Sequence, residues 1–498
     1  FLYMQSINIG ILIAFLLYLF AMVAIGVWHY YKTQDLSDYI LGGRQLNPWV
    51  TSMSSVASDM SGWMLMGLPG FAYVAGISAY WIAIGLALGT WLNWQFVAKR
   101  LRNYTQLAND SLTIPDFFEN RFRDKSKSLR IISAIFIFIF FLVYTSSGFV
   151  AGGKLFNTVF GIPYLWSLII SAGVVVSYTF LGGFKAVCWT DFCQGVLMFI
   201  AVIAVPATGI YLIGGPSLTI QTLTTNFPEH LNMFTNPDGS NITFISIISL
   251  LAWGLGYFGQ PHILVRFMAI RSAKEISAAT KIAMTWIVFS LSAAVIIGLV
   301  GRVYIHPELT GSAIETVFMV MTEQFYVSFF AGVILSAILA AIMSTASSQL
   351  LVTASSIAQD FYQALIRKNA SEQELVLVSR ITVILVSILA IIVASNPDNL
   401  VLDLVAYAWA GFGAAFGPLV LVSLFWRNAT RNGALAGIFV GGSTVLLWKY
   451  LGNPALYEIV PAFIASFLAI IIVSKLEGSP SQEILNEFKA FEKLNKEN

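Results

Sequence analysis

Charge is scarce in this chain. Only 10% of its 498 residues are Asp, Glu, Lys or Arg, while 57% are hydrophobic and mean hydropathy is +0.78. Soluble domains carry about 25% charged residues, so there is too little charge here to coat a soluble surface. The net charge of +2 gives no reason to expect nucleic acid or an acidic partner. Cysteine is nearly missing: Cys188 and Cys193 lie five residues apart, on different faces of one helix, in neither disulfide nor metal-site spacing. The apolar segments hold no His/Asp/Glu cluster and no nucleophile–base pair, which disfavours a membrane enzyme. Short alternating strands are lacking as well, which excludes a β-barrel. An all-α polytopic membrane protein remains.

What is abundant is long apolar sequence. A membrane span needs about 20 apolar residues, and on that criterion thirteen are expected, near 7–27, 48–75, 78–98, 129–154, 163–181, 187–213, 242–268, 281–303, 326–362, 376–394, 401–425, 433–450 and 457–474. The first is full-length without a small-residue cleavage site, so it reads as a retained helix rather than a signal peptide. The chain begins at Phe1 rather than Met, and a short missing N-terminal piece is expected. With the N-terminus outside and the C-terminus inside, all of the 27 Lys and Arg except Lys154, Arg302 and Lys449 fall in cytoplasmic loops. An even span count or the reverse orientation destroys that partition. The basic connection 99–128 reads as topological bias and anionic-lipid contact. Loops 214–241 and 304–325 are long enough to shape an entrance. The tail from Ser479 reads as a short polar helix, too small for an enzymatic domain.

Discontinuous helices mark binding sites in transporters, and three places are expected to break the apolar helices. In Ala57-Ser58-Asp59-Met60-Ser61-Gly62-Trp63 a carboxylate sits within an apolar run, at a cost of about 2.5–3.5 kcal/mol on insertion scales. Weak helix formers surround it, and Pro69 follows with no amide to donate. The competing reading is a small-residue packing stripe with Asp59 paired to a neighbouring helix. The second is Trp253-Gly254-Leu255-Gly256-Tyr257-Phe258-Gly259-Gln260-Pro261-His262, where glycines and a proline oppose a continuous helix. Aromatic rings beside unwound backbone suit a small amphipathic ligand; a glycine-mediated helix crossing is the alternative. His262 alone reads as structural rather than proton-carrying. The third, Ala341-Ile342-Met343-Ser344-Thr345, offers hydroxyls and a carbonyl, although such hydroxyls often bond their own helix. Carbonyls at one break facing hydroxyls on another helix make a cage for a hard cation.

At these residues the sequence resembles the sodium/solute symporter family, in particular its bacterial sodium/proline branch. Further blocks carrying the resemblance are Asp38-Tyr39-Ile40-Leu41-Gly42-Gly43-Arg44, Gly182-Gly183-Phe184 with Trp189-Thr190-Asp191, Ser336 to Ala341, and Tyr407-Ala408-Trp409-Ala410-Gly411-Phe412-Gly413. The resemblance implies a leucine-transporter-like core of two inverted five-helix repeats, 46–213 and 242–426. An extra N-terminal helix within 1–30, two further helices within 432–475 and a cytoplasmic tail, 476–498, complete the chain. It implies sodium held by the Ala57, Met60 and Ala341 carbonyls and the Ser344 and Thr345 hydroxyls, with Asp59 as the key acidic residue. Ser61, Gly62, Tyr144, Trp253, Tyr257 and Pro261 are implied to line an L-proline pocket. Asp191 is similar to a family residue implicated in sodium release, and Arg44 to one near the inner gate. No departure occurs at the ion-site residues.

The expected activity is sodium-coupled import of L-proline across a bacterial cytoplasmic membrane, with lipid as surroundings and a monomer sufficient for transport. No intramembrane Arg or Lys is expected to meet the cargo's carboxylate, leaving helix ends and the ion for that task. Another small solute in the same fold (pantothenate, a sugar acid or another amino acid), proton coupling through Asp59, and a membrane sensor are the competing readings.

Overall fold

The computed structural model describes residues 8–30, 41–181 and 183–497. Lys32, the Asp38-Tyr39-Ile40 part of one resemblance block and Gly182 of another lie outside the described residues. Among the described residues there is no strand, only isolated bridges joining Leu46 to Ile270 and Thr235 to Asn241. Ten helices among the described residues are long and apolar enough to cross a membrane, or eleven if Phe244–Gly259 and Pro261–Ala269, bent by 47°, form one span. Two features separate this count from the expected thirteen. Trp63–Leu107 passes as a single run of 45 residues, although Gly76 interrupts it at φ 69°, and Tyr164–Thr179 is shorter than a full span.

Burial sorts the helices into a centre and a rim. In Val401–Phe425 the most apolar window is 89% buried, whereas in Ile9–Trp28 it is 28% buried. The rim helix shows Leu16, Leu17 and Phe20 to the outside, as expected of a helix whose neighbour on one side is lipid. The centre is made from the helices Ser128–Phe160, Ser328–Ser355 and Val401–Phe425 and from two broken ones.

The first broken helix starts cleanly. Asn47 caps it by accepting the Val50 amide at 2.9 Å, and Pro48 takes the first turn, where a missing amide costs nothing. It runs as Pro48–Asp59, stops at Met60 (φ −78°, ψ 74°), and resumes as Trp63–Gly67 and Leu68–Ala75. Pro69 therefore falls in the first turn of a resumed helix; the interruption lies earlier, at 60–62. The wide π-type turn Trp63–Gly67 just before it accommodates a residue that cannot donate.

The second broken helix is Phe244–Leu251, a tight 3₁₀ stretch Ala252–Gly259, extended Gln260, then Pro261–Ala269. Glycine here serves close approach. A Cβ on Gly256 would lie 1.9 Å from Nε1 of Trp409, and one on Gly254 would lie 2.2 Å from the Gly85 carbonyl oxygen. The break and the glycine-mediated crossing, alternatives from sequence, are both present. The third expected break, at Ala341 to Thr345, does not occur: Ser328–Ser355 is one unbroken helix, since it holds no Pro or interior Gly pair and its Ser and Thr keep a helical backbone.

Opposite charges close the face carrying the 99–128 connection. The tail helix Gln482–Glu497 lays Phe491 on Tyr104 with centroids 4.2 Å apart, and its Glu492 pairs with Arg100. Arg123 bonds Glu483 at 2.8 Å and also pairs with Glu487. At the other end Lys154 bonds Glu315 at 2.7 Å and Arg302 bonds Glu308 at 3.0 Å, so two of the three basic residues outside the main partition meet acids of the 304–325 loop.

Gly256→Ala is expected to destabilise the protein by about 1–3 kcal/mol, the usual cost of forcing extra volume into a packed site. A thermal melt of the purified variant in detergent reads this, and an unchanged midpoint would contradict the crossing described.

Candidate functional site

The first break frees a carbonyl. In a continuous helix the Ser61 amide would bond the Ala57 oxygen; instead it turns back to the Asp59 oxygen at 2.9 Å. The Ala57 oxygen accepts from Ser344 Oγ at 2.7 Å and Thr345 Oγ1 at 3.4 Å. Ser344 Oγ is also 3.2 Å from the Ala341 carbonyl oxygen. Four of the expected ion-site residues are thus brought together from helices 287 positions apart in sequence. All four are at most 2% exposed. Met60 caps the helix end by donating its amide to the Val56 oxygen at 2.9 Å.

Asp59 faces the other way. Its Oδ2 accepts from the Tyr257 hydroxyl at 2.6 Å, while Oδ1 meets no hydrogen-bond partner among the described residues. Its backbone oxygen is well supplied, taking Trp63 Nε1 at 3.1 Å and the Tyr144 hydroxyl at 3.2 Å. The carboxylate therefore ties the two broken helices to each other. It does not bond the serine and threonine of the third interruption.

Aromatic residues pack together beside it. Trp63 and Trp253 have ring centroids 6.2 Å apart, Trp253 and Tyr457 5.7 Å, and Tyr257 meets Trp409 edge-on at 4.9 Å. Trp409 Nε1 donates to the Trp253 oxygen at 2.7 Å, which supplies one carbonyl that the 3₁₀ stretch leaves open. Asn93 does the same for the Tyr257 oxygen at 3.1 Å. Ser61 and Gly62 sit at the break itself, Gly62 so close to helix Ser128–Phe160 that a Cβ would be 2.7 Å from that of Ala151. Pro261 is separate: it opens the helix Pro261–Ala269 and borders a small cavity shared with Thr113 and Val265.

Arg44 and Asp191 stand apart from this group, each in its own network. Arg44 reaches Asp110 at 2.8 Å, the Ser111 oxygen at 2.8 Å and the Met268 oxygen at 2.8 Å, holding the end of the second broken helix. Asp191 accepts from Ser54 at 2.7 Å and from Arg266 at 3.2 Å. Arg266 is fully buried and also bonds Ser54 at 3.0 Å, Ser348 at 2.6 Å and the His262 oxygen at 2.6 Å.

Arg266 bears on the expectation that no intramembrane Arg or Lys meets the cargo's carboxylate. It was counted with the cytoplasmic charges although it falls within the expected span 242–268, and an ionisable residue there is a signal in itself. Its guanidinium is nevertheless committed to Asp191, Ser54, Ser348 and a backbone oxygen. Trp409, Asn93 and Ser348 were likewise given no role. Nothing in local sequence links them to the breaks they support.

Buried hydroxyls facing a released carbonyl, next to an aromatic cluster between two broken helices, are the equipment of a secondary transporter. A family model described as the sodium:solute symporter family matches residues 39–441. The chain belongs to that family. A sodium/proline symporter of Salmonella typhimurium is 49% identical over 489 residues, covering 97% of this chain and 96% of the relative. The high-affinity proline transporter PutP of Bacillus subtilis is 50% identical over 473 residues, with 95% and 99% covered. Among solved structures, a substrate-bound, outward-open sodium-coupled sialic acid symporter superposes with a TM-score of 0.78 at 21% identity, covering 96% of this chain and all of that one. MhsT in complex with L-phenylalanine gives 0.50 at 13% identity, covering 85% and 97%. At such identities these structures speak to fold alone, and that fold is the leucine-transporter-like one.

Within this symporter the Arg266–Asp191 pair has a checkable energetic signature. Arg266→Ala leaves a buried carboxylate without its cation, and removing one partner of a buried pair costs about 3–5 kcal/mol. Arg266→Met combined with Asp191→Leu is expected to melt closer to the parent than Arg266→Ala does. A double variant as unstable as the single one would contradict the pairing.

Proposed function

We propose that this protein is a sodium-coupled symporter that imports L-proline by alternating access across the plasma membrane of a bacterium. The cargo rests on identity near one half, over nearly the whole chain, to proteins named as proline transporters. The ion site rests on one observation, the Ala57 carbonyl oxygen 2.7 Å from Ser344 Oγ and 3.4 Å from Thr345 Oγ1. Sodium, a hard cation, takes oxygen ligands, and unwound carbonyls at helix ends supply them in such transporters.

In this reading the Ala57, Met60 and Ala341 carbonyls and the Ser344 and Thr345 hydroxyls hold sodium. Asp59 supports them electrostatically while its bond to Tyr257 links ion binding to the second broken helix. Proline lies among Ser61, Gly62, Tyr144, Trp253, Tyr257 and Pro261, with its ring on the aromatic faces. Its carboxylate meets open helix ends and the field of the ion. Arg44 and Asp191 act in inner gating and ion release. The chain crosses the membrane thirteen times when the bent pair and Tyr164–Thr179 each count as a crossing and the long run Trp63–Leu107 is divided at Gly76. The N-terminus is then outside and the C-terminus inside, as the basic residues favour. The repeats 46–213 and 242–426 each open with a broken helix, flanked by a helix within 1–30, two within 432–475 and the tail 476–498. A monomer contains every residue the mechanism uses.

Proton coupling is the second reading, and Asp59 Oδ1, buried without a partner among the described residues, is what favours it. Labelled proline uptake into proteoliposomes separates the two. An imposed sodium gradient drives uptake and a proton gradient alone does not; equal uptake in both overturns sodium coupling, and none in either overturns the cargo. One charge crossing 100 mV releases about 2.3 kcal/mol, enough for roughly 50-fold accumulation before any sodium gradient is counted.

Ser344→Ala and Thr345→Ala are each expected to raise the sodium concentration for half-maximal uptake about tenfold, the equivalent of about 1.4 kcal/mol. Ser336→Ala, whose hydroxyl bonds only the Gly332 oxygen of its own helix, leaves it unchanged. Asp59→Asn inserts normally but binds sodium much more weakly, and an ordinary sodium dependence in that variant would remove Asp59 from the mechanism.

A further inference from the structure

Three helices share a seam that leads from the first break to the face carrying the 99–128 connection. On Ser128–Phe160, Tyr144, Phe141 and Ile137 follow one another at three- and four-residue steps, and so occupy one stripe. On Ser328–Ser355 and its continuation, Thr345, Gln349, Val352 and Ser356 do the same. The upper ends of both stripes touch the break: Tyr144 bonds the Asp59 oxygen and Thr345 the Ala57 oxygen. Their lower ends, Ile137, Val352 and Ser356, line a cavity of about 30 Å³ with Pro261 and Val265 of the third helix, Pro261–Ala269.

His262 and Gln349 lie on this seam between the two ends. The His262 ring packs edge-on against Phe141 and Tyr144, with centroids 5.5 and 5.9 Å away, and is fully buried. Neither of its nitrogens meets a hydrogen-bond partner among the described residues. Gln349 is equally buried; its Oε1 accepts from Thr145 at 3.3 Å and its Nε2 meets no partner. A buried polar atom left unpaired destabilises the fold, and apolar side chains of similar volume would avoid that. Packing thus accounts for the positions of these two side chains and leaves their chemistry without a use.

We infer that His262 and Gln349 form a transient polar contact for the zwitterionic amino-acid cargo on its way from the aromatic cluster to the inner cavity. The Gln349 amide donates to the cargo's carboxylate, and the acceptor nitrogen of the imidazole takes a hydrogen from its ammonium. A contact on a release route has to be favourable enough to enter and weak enough to leave, which suits two neutral side chains. The inference rests on the transport reading above for its cargo and direction. The route itself does not depend on which solute is carried.

The test starts with that route. In a Cys188→Ser, Cys193→Ser background, His262→Cys and Ser355→Cys are treated with a membrane-impermeant thiol reagent in inside-out vesicles. Both are expected to react from that face, and His262→Cys about tenfold more slowly with sodium and proline present. Reaction at Ser355→Cys without reaction at His262→Cys overturns the route, whatever the cargo; if His262→Cys does not fold, Gln349→Cys replaces it under the same criterion. The second arm measures proline half-saturation from each face. His262→Ala is expected to raise it about tenfold from the inner face and less than twofold from the outer, with His262→Gln restoring most of the difference. Equal changes on both faces, or none, overturn the contact even if the labelling succeeds.

Discussion

A backbone carbonyl inside a membrane protein has to find a hydrogen-bond partner or an ion, because lipid offers neither. The arrangement around the first break follows from that. Once the Ser61 amide turns to Asp59, the Ala57 oxygen is left over, and the helix Ser328–Ser355 presents two hydroxyls to it. Such hydroxyl bonds contribute about 0.5–1.5 kcal/mol each, so a cation competing for the same oxygens displaces little. The break is stable enough to persist and loose enough to be used.

The second broken helix depends on the first through Asp59. Its carboxylate holds Tyr257, whose own backbone oxygen is held by Asn93, and the neighbouring Trp253 oxygen by Trp409. Two carbonyls of the 3₁₀ stretch thus have a specific donor on a neighbouring helix, and the glycines at 254 and 256 let those helices come close enough. Arg266 with Ser54 joins the two broken helices again, and Arg44 with Met268 ties the turn before the first to the end of the second. Movement of one broken helix therefore strains contacts of the other, which is the coupling that alternating access requires.

Much of this was legible beforehand. Three interruptions in otherwise apolar spans were visible because Asp, Gly, Pro and paired hydroxyls are poor choices at those depths, and all three meet in space or border one another. The tail was readable as a helix, but its docking through Phe491 and Glu492 was not, since an amphipathic pattern does not name its partner. Arg266 was misjudged because its position near a span end made it look like one more cytoplasmic charge. Only the coordinates put Asp191, Ser54 and Ser348 around it. Pro261, grouped from the resemblance with Tyr144, Trp253 and Tyr257, borders a small cavity that none of them lines.

The sequence by itself determined the class of molecule, the apolar helices and two of the three places where breaks were expected, because length, hydropathy and helix-breaking residues act within a few turns of chain; the third, at Ala341 to Thr345, is continuous helix. Tertiary structure alone decided which way each freed group points. Asp59 bonds Tyr257 and not the hydroxyls of Ser344 and Thr345, and those hydroxyls choose the Ala57 oxygen. Such pairings join residues hundreds of positions apart, over distances of about 3 Å that only the packing of whole helices can set.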